Sequence, residues 1–103
     1  MTWPDSTLSA SERFPALAQF VAGYLHQDFV AEHGTPAGAV LAFLKDANDE
    51  ERAAFRAEAR QFLEAAAFRR WADVTQTFAD LGGAWLPQSR ADLLTLIRTV
   101  LDA

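Results

Sequence analysis

Two histidines, His26 and His33, with Asp28 and Glu32 between them, are the residues of this sequence whose types could do acid–base or metal chemistry. Imidazole and carboxylate are ordinary zinc ligands, and a histidine served by a carboxylate is a common general base. The spacing supports neither use. The histidines stand seven positions apart, which matches no HExxH-type pair, and no third ligand is specified. An aspartate two residues from a histidine does not share its helical face, and nothing marks a nucleophile or a pocket. His26 and Asp28 are better placed to bond backbone groups at a helix end. Gly82-Gly83 is not a phosphate loop, since no lysine follows it. With no cysteine, thiolate catalysis, disulfides and cysteine zinc sites are excluded. No catalytic residue, metal or cofactor is assigned, and the chain is not read as an enzyme.

Charge chemistry remains. Arg52, Arg56 and Arg60 recur every four residues, with Arg69 and Arg70 further on, and such a stripe could face phosphates. Asp49, Glu58 and Glu64 share the same stretch, Arg60 and Glu64 have ion-pairing spacing, and no recognition pattern of Arg, Asn and Gln accompanies the stripe. A solvated, ion-paired face is favoured; a small helical nucleic-acid-binding or regulatory protein using the stripe is the alternative. The net charge is −5. Through Glu51, eight acids stand against Arg13 and Lys45, giving −6, and the remainder carries +1. An acidic half of this size repels nucleic acid and steers basic partners, although acids also simply keep small proteins soluble.

These groups must be positioned by helices. Leu17, Phe20, Val21, Tyr24 and Leu25 form one face of a first helix starting near Pro15, and a short turn leads on to Gly34. Thr35 and Pro36 open a second helix to about Ala47, with Ala37, Val40, Leu41 and Leu44 inward and Phe43 at the margin. Asn48 caps a third, where Asp49, Glu50 and Glu51 occupy the positive end and Glu51 completes a capping box. This helix runs to about Ala66 with Phe55, Ala59, Phe62, Leu63 and Ala66 inward. Trp71, Val74, Phe78 and Leu81 mark a fourth, stopped by Gly82-Gly83, and the break before it is placed near Phe68. Ser89 caps the last, whose inward residues are Leu93, Leu94, Ile97, Val100 and Leu101.

No β-branched alternation or hairpin turn appears. The expected fold is all-α, a single domain of about five short helices around one core, with short loops making sequential helices neighbours. A chain of 103 residues has room for one such core. Residues 1–11 are expected as a flexible arm, with Trp3 folding back on a core edge, and residues 12–103 as the domain. No apolar run approaches about 18 residues and no secretory signal is evident, so no membrane association is expected.

The stretch FPALAQFVAGYLHQDF at residues 14–29 ends in Tyr24, Leu25, His26, Gln27, Asp28 and Phe29. With a helix ending near FLKDA, a Leu-Gly turn at Leu81-Gly82 and a final Leu-rich helix, it resembles the immunity proteins of bacterial contact-dependent growth inhibition systems. Members of that family carry a Tyr-aromatic-His-Gln-Asp-aromatic motif; here its second position is the aliphatic Leu25. The resemblance implies a cytoplasmic inhibitor, expected as a monomer, that binds the C-terminal toxin domain of a cognate effector one to one. Such toxins are frequently nucleases, with basic substrate grooves. Asp46, Asp49, Glu50 and Glu51 are then expected to supply part of the toxin-binding surface, replacing phosphates by carboxylates. No direct nucleic-acid contact and no cofactor are expected. Tyr24, His26, Gln27, Asp28 and Phe29 are expected to brace the scaffold, because a shared motif reports a shared fold rather than a diverging contact surface.

Overall fold

The computed structural model describes residues 9–103, apart from the Phe29 side chain. The expected arm lies outside these residues over positions 1–8, and Trp3 with it. Among the described residues every regular element is helical: α1 (Ala10–Arg13), α2 (Pro15–Tyr24), α3 (Phe29–His33), α4 (Pro36–Asp46), α5 (Asp49–Ala66), α6 (Trp71–Ala79) and α7 (Arg90–Asp102). The all-α expectation holds. The two elements beyond the expected five are short: α1 takes up the last residues assigned to the arm, and α3 occupies what read as a turn.

The starts of the helices follow from their capping residues. Thr35 Oγ1 accepts the Gly38 N–H at 3.0 Å, and Ser89 Oγ accepts the Asp92 N–H at 3.2 Å. Asn48 and Glu51 exchange a full capping box, at 2.8 and 3.0 Å. Each bond satisfies an N–H that the helix itself leaves unpaired, worth about 1 kcal/mol per cap. The break before α6 falls over residues 67–70, around the exposed Phe68.

The core is organised around aromatic rings. Phe43 stands between Phe55 and Phe20, with centroids at 4.6 and 5.6 Å, and Phe20 meets Phe55 at 5.0 Å. Phe62 and Phe78 continue the series, 6.1 Å apart, and Phe78 meets Trp85 at 5.8 Å. Burying each phenylalanine contributes roughly 1.5–3 kcal/mol. Two helical phases differ from the sequence expectation. On α4, Phe43 is buried and Leu41 is 55% exposed, because the Phe20–Phe55 cluster draws in the larger ring and rotates the helix. On α7, Leu96 is buried while Leu94 and Leu101 are half-buried.

The order of neighbours is also corrected. The most extensive packing joins α5 to α7, α4 to α7 and α2 to α5, all non-sequential pairs. The α5–α7 and α4–α7 pairings place the C-terminal helix against the middle of the chain, and α2 lies against both α4 and α5. Among the described residues no helix is long and apolar enough to cross a membrane.

Candidate functional site

The conspicuous motif forms a joint. Tyr24 ends α2, stacks on His33 with centroids 5.5 Å apart, and meets the Phe43 ring edge at 5.4 Å. The Leu25 side chain is fully buried, and its carbonyl accepts the N–H groups of Ala84 and Trp85 at 2.8 and 3.3 Å. Gly83 lies so close to Val21 that a Cβ there would fall 2.3 Å from Val21 Cγ1. Gly82, with φ of 102°, makes the left-handed turn that brings this loop in. The Leu-Gly turn and the motif are therefore in contact.

His26 Nδ1 accepts the Asp28 backbone N–H at 3.1 Å, which leaves the ring proton on Nε2. That nitrogen faces Glu32 Oε1 at 3.3 Å, and the other oxygen of Glu32 lies 3.8 Å from His33 Nε2. Asp28 makes no side-chain cap bond to α3, and Gln27 is exposed. The Asp28 carboxylate does not meet the imidazole, so the pair is not arranged as a base and its orienter. Among the described residues no group of three histidines and acids could hold a metal ion.

The motif reaches the acids through one bond. Tyr24 Oη–H donates to Asp46 Oδ2 at 2.8 Å. That hydrogen bond, then burial, then the charges of Asp46 and Glu51 push the Tyr24 hydroxyl above its ordinary pKa. Asp46, Asp49 and Glu50 are exposed at the corner where α4 turns into α5, and Glu51 is half-buried beside them. Glu51 gives Oε1 to the capping box, and Asp49 Oδ1 pairs with Arg52 at 3.0 Å. The four expected residues thus share one corner. Their remaining oxygens accept no bond from the described residues.

The arginines are used differently. Arg52 Nε donates to the Leu44 carbonyl at 2.6 Å, in the last turn of α4. Arg56 donates to the Val100 and Ala103 carbonyls at 3.3 and 2.6 Å, at the end of α7. Arg90 donates to the Ala66 carbonyl at 3.0 Å and to Arg69 O, closing the end of α5, and its guanidinium lies 5.6 Å from the Trp71 ring centroid. Arg52 and Arg56 therefore sit at the negative ends of α4 and α7, and Arg90 joins the last turn of α5 to the connector that follows it. Arg60 and Glu64 are exposed and, among the described residues, do not form the expected ion pair. Of the expected ion-paired stripe, Arg52 keeps one pair, to Asp49, and Arg52 and Arg56 also bond main-chain carbonyls.

One functional-looking acid escaped the sequence. Glu58 Oε1 accepts the N–H groups of Ala16 and Leu17 at 2.8 and 3.1 Å, capping α2 from across the fold, since Phe14 offers no cap of its own. Burial pushes its carboxyl above the ordinary range, against the lowering effect of the two backbone bonds. The signal available was a helix opening at Pro15 with an apolar residue before it, which requires a cap from elsewhere.

A family model described as CdiI immunity protein matches residues 13–98. No curated protein and no solved structure matches the chain.

Proposed function

The chain belongs to the CdiI immunity protein family and so neutralises a toxin of contact-dependent growth inhibition; we propose that it does so in the cytoplasm by presenting the α4–α5 corner to the basic substrate groove of a nuclease toxin domain. Asp46, Asp49, Glu50 and Glu51 take the places of phosphates there, one immunity protein to one toxin. The observation that supports this is the availability of charge: these carboxylates turn unpartnered oxygens outward, while Arg52 spends its donors on the Leu44 carbonyl and one oxygen of Asp49, and Arg56 on main-chain carbonyls. Complementary charge of this kind raises the association rate and makes it salt-sensitive.

Co-expression with the candidate toxin domain tests the proposal. Wild type restores growth, and reversing the four corner acids to lysine abolishes rescue at matched protein levels. Full rescue by the reversed variant would remove the corner from the mechanism. The alternative of direct nucleic-acid binding predicts a gel shift that fades with salt; the immunity reading predicts none.

A further inference from the structure

We propose that the groove between α2 and the first half of α5 seats one long cationic side chain, lysine or arginine, of the toxin. The groove encloses about 290 Å³, and Ala16, Phe43 and Ala54 give it an apolar lining while Glu50, Glu51 and Glu58 bring carboxylates to it. This inference rests on the toxin-binding reading for the source of the side chain; the groove adjoins the corner, sharing Glu50 and Glu51 with it, but has a different task.

The shape and chemistry of the groove select the occupant. Ala16 of α2 and Ala54 of α5 both line it where larger residues would fill the space, so an unbranched aliphatic stem can lie along the lining. Lysine and arginine bury such stems while keeping the charged head at a polar site. The head is provided for by Glu58. Its Oε1 is committed to the Ala16 and Leu17 N–H groups, and its Oε2 accepts no bond from the described residues. A half-buried carboxylate with one unpaired oxygen is poorly solvated, as its raised pKa reflects. A guanidinium or ammonium at Oε2 supplies the missing donor in a partly desolvated setting, where charge-assisted bonds are strong. A neutral apolar occupant would desolvate the three carboxylates and leave Glu58 Oε2 without a donor, and an anionic one would be repelled. The exposed corner therefore steers the approach, and the groove holds the docked partner.

Two measurements decide the matter. In amide NMR, N-acetyl-arginine amide is titrated into the protein, with N-acetyl-norleucine amide as the uncharged control. The expected result is movement of the Ala16 and Leu17 amides, which sit on Glu58, with arginine only, and none in Ala54→Leu. Ala54 is an exposed position of α5, and leucine is a good helix former, so the variant fills the groove without changing charge. In binding kinetics with the toxin domain, Ala54→Leu dissociates about tenfold faster with its association rate unchanged. Glu58→Gln keeps the acceptor for α2, removes the charge, and gives the same loss, which keeps the test decisive if Ala54→Leu folds poorly. Absence of the amide shifts, or unchanged dissociation in both variants, overturns the groove seat. If the corner variant still associates slowly in that case, the corner reading survives without the groove. Faster dissociation from the groove variants together with a corner variant of unchanged association rate would support the groove and sink the corner.

Discussion

At the N-terminal end of α5, Asp46, Asp49 and Glu50 turn carboxylate oxygens to solvent, and the acids that make internal bonds use one oxygen each. At the C-terminal end, Arg90 folds its guanidinium onto Ala66 and Arg69 carbonyls and over Trp71. The two ends are about 27 Å apart for an 18-residue helix. Both respond to the same physics, since each helix end attracts the opposite charge. The difference lies in what is left over. A carboxylate that caps an N–H through one oxygen still offers the other, whereas a guanidinium spread over two carbonyls is held against the fold. Charge available to a partner at the N-terminal end of α5 is therefore mainly acidic, although Arg52 lies on the same turn.

The comparison breaks most visibly at the basic end. Arg90→Ala should cost about 2 kcal/mol in urea unfolding, because it removes the charged donor that ties the Ala66 carbonyl of α5 to the Arg69 carbonyl of the connector. Toxin association should be unchanged. A stability-neutral Arg90→Ala that slowed association would mean that this end, too, faces the partner. At the acidic end, Asn48→Ala removes the cap of α5 and should cost about 1 kcal/mol by the same measurement. The corner acids remain in place, so association should change far less than on charge reversal.

Glu58 provides the smallest and most specific test, because it is the acid of α5 that turns inward. Its folded pKa is raised, so the folded chain holds this proton more tightly than the unfolded chain. The stabilising contribution is present below the unfolded pKa and is lost as pH rises through the folded value. Wild type should therefore gain stability relative to Glu58→Gln as pH falls through the carboxylate range. A relative loss over that interval would show that the two backbone bonds, rather than burial, dominate.

The helix starts were legible because their signals are local. Thr35-Pro36, Asn48 with Glu51, and Ser89 each act within one turn, and the fold uses them all. Helical phase was less legible. The periodicity on α4 admits either Leu41 or Phe43 as the inward residue, and only the distant Phe20 and Phe55 decide between them. Leu96 on α7 was missed for the same reason. Long-range bonds were not legible at all: nothing near Glu58 names Ala16 and Leu17, and nothing near Arg56 names Val100 and Ala103. The acid corner was visible because its four residues lie within six positions of the chain, and the motif was visible by its composition. What the sequence could not show is the Tyr24 to Asp46 bond that joins them, or the groove beside them.

The central claim is that the α4–α5 corner carries the charge that recognises the toxin. Association rates of wild type and of the variant with Asp46, Asp49, Glu50 and Glu51 reversed to lysine, measured against the toxin domain over a range of ionic strength, test it directly. Association should slow by about tenfold or more at low salt, and the variant should lose the wild-type acceleration as salt is reduced. Equal rates and equal salt dependence for the two proteins would contradict it.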